Sequence, residues 1–160
     1  MTSLHPVLNR SLWVGIGAAA LLVVGGCAGG KMVRSPTDTL ALSGAQEVPP
    51  VTTTAAGVTD ISARQSRCPS SASSLDCPTL HGTVTTSGVT ATAAHIHQGA
   101  AGATGPVIVT LVQTGPNSWA VPQATTITPA QYQAYWDGLL YVNIHSAANP
   151  GGEIRAQLTP

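Results

Sequence analysis

The chain has 160 residues, of which 43% are apolar and only 8% are charged, and its formal net charge is zero. A disordered chain combines few apolar residues with a high net charge, and a coiled coil is built from Ala, Glu, Lys and Leu heptads. Nucleic-acid binding needs an excess of Lys and Arg, whereas this chain has six basic and six acidic residues. These three classes are excluded, and the many Thr and Val residues favour a small all-β domain.

Residues 1–26 have the layout of a secretory signal peptide. Arg10 precedes a continuous run of apolar or small residues from Leu12 to Val24. This run is shorter than the roughly 20 residues that a helix needs to span a bilayer. Cys27 follows a Gly pair, with the aliphatic Val24 three positions before it. The segment therefore predicts export, and its end resembles the bacterial lipobox.

The lipobox resemblance implies that Cys27 carries thioether-linked diacylglycerol, is the first residue after cleavage, and receives an N-acyl chain such as palmitate. Several acyl chains anchor a protein stably to a membrane. Ala28 is not the Asp that retains lipoproteins in the inner membrane, so the resemblance implies the outer membrane in a two-membrane bacterium. Residues 27–38 lack periodicity and predict a flexible stalk. Ordinary secretion with an incidental cysteine is the alternative.

Residues 39–160 predict one domain made of short antiparallel strands. A segment of about 120 residues is long enough to build one sandwich core. The candidate strands are rich in Val, Thr and Ile and are separated by turn signals such as Asn149-Pro150-Gly151-Gly152. Strands at this spacing indicate a β-sandwich or barrel. The candidates are residues 40–43, 57–64, 80–86, 90–97, 106–112, 119–121, 139–145 and 153–158.

One segment between these strands has helical features. Thr128-Pro129 supplies an N-cap followed by proline at the first helical position, and Gly138 marks the end. Large apolar side chains recur at helical spacing between these signals. We expect a helix of two or three turns that plugs one end of the sandwich, with an aromatic partner-binding face as the alternative.

Cys68 and Cys77 flank a short polar loop between two candidate strands. The predicted export places both thiols in a compartment that permits disulfides, and the pair is even once Cys27 is lipidated. We predict a disulfide between them. A two-cysteine metal site is the alternative, although the spacing does not fit a zinc knuckle.

Three segments of the chain resemble the CHRD domain, which is named after chordin and is common in bacterial secreted proteins and lipoproteins. They are LSGAQEVPP from Leu42 to Pro50, AHIHQGAAGATGPVIVTL from Ala94 to Leu111, and LYVNIHSAANPGGEIRAQL from Leu140 to Leu158. Ser146 replaces the usual Thr, Ala156 replaces the usual Gly, and the cysteine-bounded loop is an addition. The resemblance implies an immunoglobulin-like or superoxide-dismutase-like Greek-key β-sandwich.

The function that this resemblance implies is less specific than the fold. Bacterial members have no well-defined common activity, so we expect a membrane-anchored, non-catalytic binding module with an envelope or extracellular protein as partner. This expectation rests on analogy with chordin, because a fold alone does not determine function.

The histidines at positions 95, 97 and 145 are candidate metal ligands. In His95-Ile96-His97 the two imidazoles leave the same face of a strand, because side chains alternate along it. In Val142-Asn143-Ile144-His145 the same alternation places Asn143 and His145 on one face. If the two strands pair, three imidazoles come within reach of one ion, and such a set suits zinc or copper.

A structural role for the same histidines remains open. Each ring would then bridge the neighbouring loops by hydrogen bonds to backbone carbonyls, with both of its nitrogens engaged. His81 lies on a strand whose Leu80 and Val84 are expected to face the core, so we expect His81 to face solvent rather than to act as a fourth ligand.

An enzyme is the least supported function. The His-x-His strand followed by Gln-Gly also looks like the copper strand of copper–zinc superoxide dismutases, whose dinuclear centre needs six His and an Asp. The chain has five His, and His5 lies in the predicted signal peptide. Glu47 and Glu153 sit beside Pro or Gly turns, and Glu153 shares a strand face with Arg155. We expect structural pairing or backbone capping for both carboxylates, and no catalytic residue.

Overall fold

A computed structural model describes residues 39–65, Cys68 and residues 77–160. The predicted signal peptide, the lipidation site at Cys27 and the stalk lie outside these described residues. The described residues all belong to one compact unit.

The domain is a single antiparallel sheet of nine strands, accompanied by a two-stranded sheet and one α-helix. The strand order in the large sheet is β7-β6-β10-β11-β1-β2-β5-β9-β8, and β3 pairs with β4. The elements are β1 Leu40–Ser43, a 3-10 helix at Gly44–Gln46, β2 Ala56–Thr59, β3 Ser62–Arg64, β4 Thr79–His81, β5 Thr83–Ser87, β6 Ala91–Gln98, β7 Val107–Thr110, β8 Val112–Gly115, β9 Ser118–Ala120, α1 Pro129–Trp136, β10 Leu140–Ser146 and β11 Ile154–Leu158.

The large sheet wraps around the core until it nearly closes on itself. Its two outermost strands, β7 and β8, are consecutive in the chain and are separated only by Leu111. The Leu111 N–H donates to the Ala94 carbonyl 2.9 Å away, so the chain changes from one end of the sheet to the other at this residue. The all-β, antiparallel class with one short helix is confirmed, whereas the Greek-key connectivity stays a prediction.

The core lies on one face of the strands, as the alternation of side chains predicts. Ile96 on β6, together with Val142 and Ile144 on β10, is fully buried among apolar neighbours from the other strands. The residues between them leave the opposite face. That opposite face of β6, β10 and β11 carries the polar side chains considered below.

Three predicted strands are each divided in the structure, and one of them, residues 106–112, changes from β7 to β8 at Leu111. Residues 57–64 form β2 and β3, and residues 80–86 form β4 and β5. These two divisions occur where the Asp60 carboxylate accepts a hydrogen bond from the Thr83 N–H at 2.5 Å and where Gly82 adopts a φ of +127°. A side chain that accepts a hydrogen bond from a backbone N–H takes the place of a hydrogen bond between strands. The periodicity of the sequence does not show where this happens.

Helix α1 forms as the sequence predicts. The Thr128 hydroxyl accepts from the Gln131 N–H at 3.1 Å, and the Gln131 side chain accepts from the Thr128 N–H at 2.8 Å. This reciprocal capping box satisfies two backbone donors at the start of the helix. Ala134 and Tyr135 are buried in the core cluster, and Gly138 follows the helix with a φ of +68°.

Cys68 and Cys77 are joined by a disulfide, with their Cα atoms 4.9 Å apart. The predicted pairing is therefore present, and it closes the connection that leads from β3 to β4. The residues inside this loop lie outside the described part of the chain.

Candidate metal centre

The three candidate imidazoles come together on the outer face of β6 and β10. These strands pair antiparallel, with His95 opposite Asn143 and His97 opposite Tyr141. His145 lies two residues beyond Asn143 on the same face of β10. One ring nitrogen from each histidine lies within 4.8 Å of the nitrogens of the other two.

The closest pair in the cluster is His95 with His145. His95 Nδ1 lies 2.9 Å from His145 Nε2, and the two ring centroids are 4.7 Å apart. The His97 ring centroid is 5.8 Å from that of His95 and 6.3 Å from that of His145. The cluster is therefore compact before any ion is considered.

Backbone carbonyls determine the tautomer of two of these rings. His97 Nδ1 lies 2.9 Å from the Gly105 carbonyl, and His145 Nδ1 lies 2.9 Å from the Pro150 carbonyl. A carbonyl oxygen only accepts, so each Nδ1 carries the proton and donates. In the neutral rings each Nε2 then carries a lone pair. That of His97 has no hydrogen-bond partner, whereas that of His145 accepts from the His95 Nδ1–H at 2.9 Å, a hydrogen bond that a bound ion would replace. Metal-binding histidines are typically oriented in this way.

His97 is the most deeply buried member of the cluster. Its side chain is 8% exposed, and its Nε2 is excluded from solvent without a hydrogen-bond partner. The structural alternative predicted that each ring would use both nitrogens, and for His97 that expectation is wrong. No donor among the described residues forms a hydrogen bond with its Nε2.

The electrostatic surroundings keep His95 and His97 neutral near pH 7. Burial lowers the pKa of the His95 imidazole, and the neighbouring rings of His145 and His97 lower it further. Burial likewise lowers the pKa of His97, an effect that the hydrogen bond to Gly105 only partly offsets. Neutral imidazole is the form that ligates a metal.

A buried arginine on β11 holds a loop over the cluster. Arg155 is 1% exposed and donates to the carbonyls of Ala103 at 2.8 Å and Ala100 at 2.9 Å. Its guanidinium carbon lies 3.4 Å from the centroid of the Tyr141 ring. The Tyr141 ring in turn stacks on His97 with an interplanar angle of 5°. The loop, the arginine and the imidazole thus form one packed unit.

Arg155 was not predicted from the sequence to hold a loop over the histidines, although strand alternation indicates its position. Arg155 and Gln157 alternate with the buried Ile154, Ala156 and Leu158, which places them on the face of the histidines. Gln157 donates to the carbonyls of Gly99 at 2.9 Å and Gly138 at 2.7 Å.

Glu153 has a structural role, with partners other than the expected one. Its carboxylate accepts from the Thr53 hydroxyl at 2.6 Å and from the Ser146 hydroxyl. These two hydrogen bonds, the one from Ser146 first, hold the pKa of Glu153 below its usual value. The carboxylate thereby ties the β10–β11 turn to the segment that follows β1, and the expected neighbour Arg155 bonds elsewhere.

Glu47 is the second buried carboxyl group near the cluster. It is 6% exposed, and its Oε1 has no hydrogen-bond partner. Burial raises the pKa of Glu47 to about 7, against the opposing effects of Arg155, the Val48 N–H and Asn143. Gly152 packs directly on this carboxyl, because a Cβ there would lie 2.6 Å from Oε1.

The raised pKa of Glu47 predicts that stability falls as pH rises. Folding favours the protonated carboxyl, so its contribution is complete below the unfolded pKa near 4.5 and is lost as pH rises through about 7. Glu47→Gln should remove this loss. We expect the free-energy difference between variant and wild type to change by about 1–2 kcal/mol from pH 4.5 to 8, after allowance for solvent screening. Urea unfolding of both proteins in the presence of a chelator measures this difference. If the free energies of unfolding of wild type and Glu47→Gln change with pH in parallel, the prediction is contradicted.

His81 does not belong to the cluster, and it is partly rather than fully exposed to solvent. On β4 it pairs opposite Ser62, and its Nε2 is buried without a hydrogen-bond partner. Its pKa is lowered by burial and by Arg64.

The fold and the cluster together define an all-β domain whose polar loops are fastened over histidines on the outer face of the sheet. The chain belongs to the CHRD family, because the family model described as CHRD domain matches residues 39–158. No curated protein and no solved structure matches the chain. The CHRD domain supports a binding or interaction module and is not a known enzyme family.

Proposed function

We propose that this protein is a lipid-anchored, extracytoplasmic, non-catalytic binding module that holds a copper or zinc ion at His95, His97 and His145. One observation carries the metal assignment. Ring nitrogens from all three histidines lie within 4.8 Å of one another. His97 and His145 also donate their Nδ1 protons to backbone carbonyls, which leaves the Nε2 atom of each ring unprotonated, the form that ligates a metal.

The separations are compatible with a tetrahedral ion after small side-chain adjustments. With Zn–N distances of about 2.0–2.1 Å, ligand nitrogens in a tetrahedral site are about 3.3 Å apart. His95 Nδ1 and His145 Nε2 are 2.9 Å apart, so rotation of the rings opens this pair and brings His97 closer. Imidazole ligands suit both metals, and copper(II) has the higher intrinsic affinity of the two.

Equilibrium dialysis of the purified mature protein against zinc and against copper at pH 7.5 tests this function. We expect one metal ion per chain with a dissociation constant in the micromolar range or tighter. Absence of saturable binding of either metal would overturn the metal assignment while leaving the family assignment intact.

A second candidate function is supported by a specific observation. The bonds from His97 to Gly105 and from His145 to Pro150 already hold two loops against the sheet in the absence of metal. A module that binds only an envelope or extracellular protein partner needs no more than this. It predicts that a chelator leaves the unfolding midpoint unchanged. A bound metal instead adds about 2.7 kcal/mol of stability at 100 times its dissociation constant.

A superoxide-dismutase-like enzyme is the third candidate and has the least support. Its dinuclear centre needs six His and an Asp. The cluster contains three His, and His81 lies elsewhere in the described part of the chain. We therefore assign no catalytic residue.

The lipid anchor predicts a large change in localisation when Cys27 is replaced. Within the described ranges, no helix has the length and apolar character needed to cross a bilayer. Cys27→Ser should release the protein from membrane fractions or leave its signal peptide uncleaved, because the acylated residue is lost. Fractionation followed by N-terminal mass spectrometry measures both effects, with Cys68→Ser/Cys77→Ser as a control that stays at the membrane. Unreplaced mature protein that is soluble and starts at another residue would contradict the anchor.

A further inference from the structure

We propose that the side-chain oxygen of Asn143 is a fourth ligand, which makes the site a closed set of three imidazole nitrogens and one amide oxygen. This inference rests on the proposed metal binding and adds the ligand that sequence reasoning did not assign.

Asn143 is a neighbour of the histidines on the same face of the sheet. Its Cα is the register partner of His95, and it lies two residues before His145 on the same face of β10. Its side chain is 2% exposed. On a pleated sheet, side chains that are direct or diagonal neighbours across a strand pair lie within contact distance.

The amide of Asn143 engages its nitrogen and leaves its oxygen without a partner. Asn143 Nδ2 donates to the Gly151 carbonyl in a long hydrogen bond of 3.5 Å. Oδ1 is buried and has no hydrogen-bond partner. The oxygen is therefore the atom of this amide that is available to a cation.

Two buried acceptors on neighbouring residues of this sheet face lack a hydrogen-bond donor. Asn143 Oδ1 and His97 Nε2 are both excluded from solvent, and neither has a hydrogen-bond partner. His97 Nε2 carries no proton in the neutral ring, because Nδ1 donates to Gly105. A buried polar atom without a partner costs about 1–3 kcal/mol. A cation between these atoms satisfies both of them together.

The fourth ligand determines what kind of site this is. Structural zinc sites have four protein ligands, whereas catalytic zinc sites keep one position for water or substrate. Three imidazoles and one amide oxygen fill a tetrahedron, so the ion is held rather than presented to a substrate. The hard oxygen donor also favours zinc or copper(II) over copper(I).

Variants of Asn143 in the mature protein test the assignment in both directions. Asn143→Leu removes the oxygen at similar volume and should weaken zinc binding at least tenfold. Asn143→Asp supplies an anionic oxygen and should tighten it. Gln157→Leu is the matched control. Gln157 is on the same sheet face and is bonded to loop carbonyls, but it lies opposite Tyr141 and should change stability without changing zinc affinity.

The outcomes separate this inference from the proposed function. Equal zinc affinity in wild type, Asn143→Leu and Asn143→Asp overturns the fourth ligand while the three-histidine site stands. No zinc binding by the wild type overturns the proposed function itself. If Asn143→Leu does not fold, the visible spectrum of cobalt-substituted wild type and Asn143→Asp decides. A difference in the energies of the cobalt d–d bands between the two proteins supports ligation by residue 143, and identical spectra overturn it.

Discussion

Replacing Arg155 with Met should lower the free energy of unfolding by about 3–5 kcal/mol, a large fraction of the 5–15 kcal/mol that stabilises a domain of this size. The fully buried guanidinium donates to the carbonyls of Ala100 and Ala103. The Ala100 carbonyl also accepts from the Ala103 N–H at 3.1 Å, whereas Arg155 is the only donor to the Ala103 carbonyl that is seen in the described part of the chain. Met fills most of the space but donates to neither. It also removes the cation that lies 3.4 Å from the Tyr141 ring. Urea unfolding of the metal-free protein measures the change.

Two further variants show whether geometry or charge matters at this position. Arg155→Lys keeps a cation but loses the planar fork that reaches two carbonyls, and we expect an intermediate loss. Arg64→Met removes an exposed arginine on β3 and should change stability by less than about 0.5 kcal/mol. If Arg155→Met proves as mild as Arg64→Met, Arg155 does not hold the loop over the cluster.

Replacing His97 with Ala should reduce zinc and copper affinity by more than about 100-fold. Mutation of groups that only orient metal ligands already costs about 10–100-fold in affinity, and His97 is proposed as a ligand. Its Nε2 is the buried ring nitrogen of the cluster that lacks a partner. Equilibrium dialysis at pH 7.5 measures the loss.

The control for this variant is His81→Ala. His81 also has a buried Nε2 without a partner, but it lies on β4, outside the cluster. Its replacement should leave metal affinity unchanged. His95→Ala removes a less buried ligand and guards against misfolding of the His97 variant. If both His95→Ala and His97→Ala bind zinc and copper with wild-type affinity, these histidines are not metal ligands and have a structural role.

Strand periodicity made the histidine cluster predictable from the sequence. A period of two fixes which side chains share a face, so His95 and His97 could be placed together without knowledge of the fold. The pairing of β6 with β10 then brings in His145. That pairing joins segments about 50 residues apart, and the sequence analysis could only assume it.

The polar layer around the cluster was beyond sequence reasoning for a different reason. Glu47 and Arg155 are separated by more than 100 residues, and their proximity depends on the position of β11 beside β1. Charged residues are rarely fully buried, so a lone arginine in a strand is expected to face solvent. The burial of Arg155 follows from the loop of residues 99–106 folding over it, which no local pattern reveals.

The breaks that divide the predicted strands also could not be predicted from the sequence. No proline interrupts residues 57–64, yet the chain turns where the Asp60 carboxylate accepts a hydrogen bond from the Thr83 N–H. His81 lies on the same small sheet and is only partly exposed, with its Nε2 buried. Side-chain to backbone hydrogen bonds of this kind compete with regular ladders at specific atoms rather than through composition.

Anomalous diffraction from crystals of the zinc-loaded protein, recorded above and below the zinc absorption edge, tests the central claim most directly. The account predicts one peak per chain, about 2.0–2.1 Å from one ring nitrogen of each of His95, His97 and His145. Zinc-loaded crystals with no peak among these three rings, or with the metal bound elsewhere on the domain, would contradict it.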